Sequence, residues 1–168
     1  MKRVLMLASV ASMIDQFNMP NIALLQKLGY QVDVACNFIE GNTCSDARIA
    51  ELKQKLQDMH VRCYQIDFAR NIRHMGQNMK ALWQVEGLMK QNTYAFCHCH
   101  SPIGGVVARI AGHRTKTKVI YTAHGFHFYK GAPLINWIVF YPIEKWLSRY
   151  TDCLITINEE DYNLAKRK

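Results

Sequence analysis

The residues able to do chemistry in this chain gather where histidines meet glycines. Residues 123–131 read AHGFHFYKG, which sets His124 and His127 beside Gly125 and Gly131 directly after an apolar run. A neutral imidazole both donates and accepts a hydrogen bond and titrates near neutrality, so it suits proton transfer or the orientation of a hydroxyl. Gly125 lets the backbone turn sharply or approach a ligand closely. Phe126, Phe128 and Tyr129 can form an apolar or stacking wall beside it.

A second concentration is CHCHSPIGG at 97–105. Four ligand-type residues in a row suggest zinc. On an extended strand, however, Cys97 and Cys99 share one face while His98 and His100 share the other, so the four cannot converge on one ion. No metal site is expected. His100 closes that strand, and Ser101-Pro102 with Gly104 and Gly105 opens a helix. Amides at such a helix start suit an anion or sugar hydroxyls. Two glycines there serve tight helix–strand packing equally well. A third candidate is SVASMIDQFN at 9–18, where Asp15 and Gln16 could contact a polar ligand or simply belong to a capped turn. The absence of any glycine here argues against a dinucleotide-binding G-x-G-x-x-G and hence against an NAD-type oxidoreductase.

The surrounding pattern says what must hold these residues. Short apolar runs at 3–8, 30–36, 61–66, 94–100, 118–123 and 152–157 read as strands, the first of them buried. Between them lie helical patterns at 18–29, closed by Gly29, at 45–59, capped by Ser45, at 72–91, at 102–112, opened by Pro102, and at 133–149, bent at Pro142. A last helix starts at Asn158, with three acids in its first turn. Strand alternating with helix throughout implies an α/β fold, a doubly wound Rossmann-like parallel sheet covered on both faces. Ligands of such sheets sit at the carboxyl ends of the strands. That rule selects the loops 8–18, 99–105, 123–133 and 157–161.

Bulk properties narrow the classes. A net charge of +8 over 168 residues favours anionic partners, but the cations (Arg70, Arg73, Lys116 and Lys118 among them) are scattered with no nucleic-acid motif. Several of the six cysteines lie in apolar strand-like runs, which suits free thiols in a reducing cytoplasm. Lys2-Arg3 before VLMLASVAS mimics a signal peptide, yet Val4 to Ala8 is too short for its apolar core and reads better as a first strand. No segment reaches the roughly 18 apolar residues needed to span a bilayer. Trp137 and Trp146 beside Lys145 and Arg149 suit either a core helix or a membrane interface. The 72–91 pattern, with Arg73, Lys80 and Lys90 beside Met75, Met79 and Leu82, reads as a core stripe with a basic outer face, or as membrane-facing. The chain ends within a helical pattern, as one part of something larger would.

Four stretches in order carry a resemblance: KRVLMLASVASMIDQFNMPNIALLQKLGYQVDVACNF, HSPIGGVVAR, YTAHGFHFYKGAP and IEKWLSRYTDCLITINEEDYNLAK. Over nearly its whole length the chain resembles family 4 retaining glycosyltransferases of the GT-B fold, in particular those of bacterial capsular and exopolysaccharide synthesis. The resemblance implies that residues 1–168 are the N-terminal, acceptor-side domain, one half of a GT-B enzyme, with the C-terminal donor domain absent. It implies a nucleotide-sugar donor, a UDP-sugar, held by that other domain, with no further cofactor and no metal. It implies a lipid-linked saccharide acceptor, an anionic membrane surface nearby, a peripheral cytoplasmic location and no nucleic acid. By motif, His124 is the residue beside the donor sugar. His100, Gly104, Gly105, Gly125, Phe126, His127, Asn158 and Glu159 line the same cleft, with Asp15, Gln16 and Phe17 as acceptor contacts. One departure is the first loop, glycine-rich in many members and SVASMIDQFN here. Two further readings stand beside it: a non-catalytic binding or membrane-docking subunit paired with a separate donor-domain chain, and, on charge alone, a nucleic-acid-binding domain.

Overall fold

The computed structural model describes residues 1–69 and 74–167. Six strands form one parallel sheet: β1 (Arg3–Val10), β2 (Gln31–Asn37), β3 (Arg62–Gln65), β4 (Tyr94–His100), β5 (Val119–Ala123) and β6 (Cys153–Thr156), in the order β3-β2-β1-β4-β5-β6. This is the doubly wound topology, and the direction of winding reverses between β1 and β4. β1 lies between those two partners, and Val4 to Ala8 are fully buried, as a central parallel strand demands.

The pleat divides the core in two. Val4 and Met6 of β1 pack with Val34, Ile22, Ile49 and Leu52 on one side. Leu5 and Leu7 pack with Cys97, Cys99, Val85 and Ala108 on the other. The helices are α1 (Ala11–Met13), α2 (Met19–Lys27), α3 (Asp46–Asp58), α4 (Met75–Gln91), α5 (Pro102–Thr115), α6 (Leu134–Leu147) and α7 (Glu159–Arg167). Ser45 caps α3 by accepting the Arg48 N–H at 3.3 Å, and Pro102 opens α5. The start of the expected 72–91 helix, with Arg70 and Arg73, lies outside the described residues.

One expectation fails. Residues 8–18 are not a loop: β1 runs on to Val10, α1 follows at once, and a π-helical turn, Ile14–Asn18, joins it to α2. Pro20 explains the wide turn. In an unbroken α-helix its ring would press on the Gln16 carbonyl and its missing N–H would leave that carbonyl bare. The Asn18 amide group helps hold the turn by donating to the Met13 carbonyl at 3.1 Å.

Candidate functional site

At the winding reversal, the carboxyl ends of β1, β4 and β5 bring three imidazoles together. His98 and His100 lie two residues apart on one face of β4, with ring centroids 4.4 Å apart. The opposite-facing Cys97 and Cys99 are sealed in the core between the sheet and α4 and α5. His124 follows β5 directly, and its Nε2 lies 3.0 Å from Nδ1 of His100. His98 Nε2 lies 2.8 Å from Thr122 Oγ. From the other side, Phe17 of the π-helical turn sets its ring 5.4 Å from that of His124. Ser101 stitches the reversal together. It adopts a left-handed φ of 70°, and its Oγ accepts N–H groups from Gly104 at 3.2 Å and Ser9 at 3.3 Å.

Burial keeps these imidazoles neutral. Desolvation, helped by its two neighbouring histidines, pulls His100 down to about 3. Desolvation, with His124 second, pulls His98 down to about 4. Desolvation also lowers His124. A neutral pair sharing one hydrogen bond has one donor and one acceptor. His100 Nε2 is buried with no partner among the described residues. A bare lone pair is the cheaper orphan there, since buried N–H groups without partners are the rarer case. His100 therefore donates from Nδ1, and His124 accepts at Nε2 and carries its hydrogen on Nδ1. No described group bonds to that nitrogen. The site presents a preorganised, uncharged N–H donor, suited to a hydroxyl or a developing negative charge.

A pH dependence follows. In the unfolded chain these histidines titrate near 6.5, so between that value and their depressed folded values the unfolded state binds more protons. Stability is complete above pH 6.5 and falls as the pH drops through that window. For His100 the loss by pH 5 is about 2 kcal/mol. Urea melts across this range should show it, and His100→Asn should flatten the curve.

The other expected site residues are placed differently. The amides of Gly104 and Gly105 are spent on Ser101, the first on its Oγ and the second on its carbonyl at 2.8 Å. A Cβ on Gly105 would sit 2.6 Å from the Tyr121 ring. These two glycines serve packing, not an open anion cradle. Asp15 is gripped by Arg48 through two bonds of 2.8 and 3.1 Å, while Gln16 is exposed. His127 stacks on Phe140 of α6 at 4.6 Å, apart from the histidine cluster. Phe126 stacks on Phe128 and faces a cavity of about 180 Å³ with Arg109 and Glu144. Gly125 has a φ of 133° and open space around it. Asn158 is an N-cap: its Oδ1 accepts the Asp161 N–H and its amide group donates to the Asp161 carboxylate, both at 2.7 Å. Glu159 is exposed.

Of the three first-segment candidates, Phe17 is the one whose ring meets the histidine cluster. Two participants escaped the sequence reading. Thr122, in the middle of an apolar strand, gave no signal. Asp161, buried and accepting the Phe126 N–H at 3.2 Å, ties the histidine loop to α7; Asn followed three residues later by an acid was its signal. Among the described residues no group of histidine, cysteine or carboxylate side chains is arranged to hold a metal ion.

With this arrangement in view, comparison with known proteins is decisive. The family described as "Glycosyl transferase 4-like" matches residues 3–158. The chain belongs to that family. Over 168 residues it is 41% identical to "Putative glycosyltransferase EpsD" of Bacillus subtilis (strain 168), covering 98% of this chain and 40% of the relative. Over 103 residues it is 28% identical to the "Uncharacterized 41.2 kDa protein in cps region" of Klebsiella pneumoniae, covering 58% of this chain and 29% of that protein. Acinetobacter baumannii MurG shares the fold at a TM-score of 0.60 and 18% identity, over 95% of this chain and 42% of its own. The family and the fold read from the motifs are thus borne out: the chain is a glycosyltransferase 4-like domain whose Rossmann-like parallel sheet resembles one half of the GT-B fold. The chain spans well under half the length of these relatives.

Proposed function

We propose that this glycosyltransferase 4-like chain is the N-terminal, acceptor-side domain of a retaining glycosyltransferase. The complete enzyme transfers a sugar from a nucleotide sugar, a UDP-sugar, to a lipid-linked glycan during capsular or exopolysaccharide synthesis at the cytoplasmic side of the membrane. The observation that carries the reading is the 3.0 Å contact between His100 Nδ1 and His124 Nε2 at the winding reversal, beside a buried, unpartnered His100 Nε2; the tautomers that this arrangement favours leave the His124 Nδ1–H for a ligand. A polyol substrate presents hydroxyl oxygens, and an uncharged donor holds one in place without ionising it. Metal and redox chemistry have no part in this scheme. His124 positions the sugar, while the donor nucleotide belongs to the remaining length found in the relatives.

The test is a transfer assay. The chain extended to the length of its relatives should move label from a UDP-sugar to a prenyl-diphosphate-linked saccharide, and the 168-residue chain alone should not. Failure of the extended chain with a full panel of nucleotide sugars would overturn the reading.

A further inference from the structure

α4 shows the solvent residues that a helix packed on a sheet ordinarily turns inward. Ala81, Leu82, Val85, Leu88 and Met89 fill its inner side. Met75 and Met79, read from the sequence with Leu82 as one core stripe, turn outward instead, 76% and 44% exposed. Trp83 stands beside them, 64% exposed. Positions 75, 79, 83 and 87 recur every four residues and so form one ridge. That ridge ends in Gly87. In mid-helix a glycine costs about 0.5–1 kcal/mol against alanine. Yet a Cβ on Gly87 would meet nothing within 4 Å among the described residues, and the same holds at Gly76, two turns before Trp83. Packing within the described chain therefore gives neither glycine a reason. A close approach from outside does.

The charges beside this ridge come in both signs. Successive residues of a helix turn by about 100°, which puts Glu86 and Lys90 to one side of Trp83 and Lys80 to the other. On the first edge Lys90 and Arg114 meet Glu86 at 2.6 and 3.2 Å. On the second Lys80 meets Asp67 at 2.8 Å. The exposed stripe of α6 differs. Ile135 and Ile138, each 60% exposed, have exposed cations beyond both ends, Lys130 before and Lys145 and Arg149 after, while Glu144 turns inward to Arg109.

We propose that this face of α4 binds a second copy of the chain, helix against antiparallel helix, about a two-fold axis at Trp83. The two indole rings meet on the axis. Counting outward from there, Met79 of one copy reaches the level of Gly87 of the other, so a protruding side chain lies opposite a recess, twice by symmetry. Antiparallel two-fold pairing also sets each edge of the helix beside the same edge of the other copy. Each edge must then complement itself, and each carries both signs: Glu86 with Lys90, and Asp67 with Lys80. The α6 stripe fails that condition, because the same operation would bring its cations together. An anionic surface fits α4 poorly, since Asp67 and Glu86 stand at the rim of the ridge. α4 packs on a face of the sheet, whereas the histidine site lies at the carboxyl ends of the strands, so both copies keep that site open. The inference stands on the α4 surface and not on sugar transfer.

Sedimentation equilibrium over a dilution series tests it. The chain should be a reversible dimer. Trp83→Glu should raise the dissociation constant by about tenfold or more, as expected for a tryptophan at the centre of a contact, with an unchanged circular dichroism spectrum. Gly87→Gln is the sharper probe. It fills the recess and should weaken the dimer by about tenfold, yet at dilutions where the chain is monomeric it should raise the urea midpoint, because glutamine favours a helix over glycine. A change that merely damaged the fold would lower both. Ile135→Asp/Ile138→Asp, on α6, should dimerise as the wild type does. A monomer at every concentration, dimers that either Trp83→Glu or Gly87→Gln leaves intact, or dimers that the α6 variant abolishes would each overturn the proposal. The chain extended to its relatives' length should dimerise through the same face; a monomeric extended chain overturns it too. Sugar transfer by such a monomer would sink this inference and leave the transferase reading standing.

Discussion

His124→Ala, in the chain extended to the length of its relatives, is expected to lower kcat for sugar transfer by about 10²–10³-fold, the usual loss when one preorganised donor is removed. The expectation follows from where the hydrogen is. Nε2 of His124 is committed to His100 at 3.0 Å, so only Nδ1–H remains for a substrate. A donor already fixed by its neighbours pays no reorganisation during the reaction, and its loss falls on kcat more than on KM. The alternative, a purely structural His124, predicts another pattern. The residue is half-buried, and its removal strands Nδ1 of His100, a cost of about 1–3 kcal/mol in stability. Measuring kcat, KM and the urea midpoint together separates the two. Near-normal turnover with a lowered midpoint would make His124 a structural residue and remove it from the site. His124→Asn, whose amide can still donate, should recover part of the rate.

The same site shows how far a sequence can be read. The alternation of Cys97, His98, Cys99 and His100 was legible because a strand's side chains obey a period of two, and the structure keeps that order to the residue. His124 was legible because strand ends are where parallel sheets hold ligands. The pairing of His100 with His124 was not, since it depends on the register of β4 against β5, in which His100 stands opposite Thr122. Segment 9–18 misled for a specific reason: a missing glycine motif says what a turn cannot bind, not that it is a turn. Ala11 to Met13 already had helical character, and Pro20 widened the helix instead of ending it. Gly104 and Gly105 had two readings, and only the Tyr121 ring and the Ser101 cap distinguish them. Asn158 was read correctly as a cap, and for that reason its side chain has little left for a ligand.

Arg109→Met should be strongly destabilising, at about 3–5 kcal/mol. The Arg109 side chain is 2% exposed, and each of its nitrogens has a partner: Nε donates to the Gly105 carbonyl at 2.9 Å, and the two terminal nitrogens donate to Glu144 at 2.7 and 3.0 Å. Its guanidinium also lies 4.2 Å from the centre of the Tyr121 ring. Methionine fills much of the same volume, so a cavity contributes little to the loss. What remains is a carboxylate, 17% exposed, without its cation, beside a cavity of about 180 Å³. Since stranding the partner is the costly part, Arg109→Met/Glu144→Leu should recover most of the stability. A double-mutant cycle by urea denaturation reads this directly. A loss below about 1 kcal/mol in the single variant would mean that water solvates the pair, as at a surface. The pair also has a positional consequence. Glu144 holds α6 to α5, α6 holds His127 and Phe128 through its aromatic residues, and these frame the loop that begins at His124. In the extended chain, Arg109→Met should therefore depress transfer even under conditions where the protein stays folded, although Arg109 itself touches none of the three clustered imidazoles.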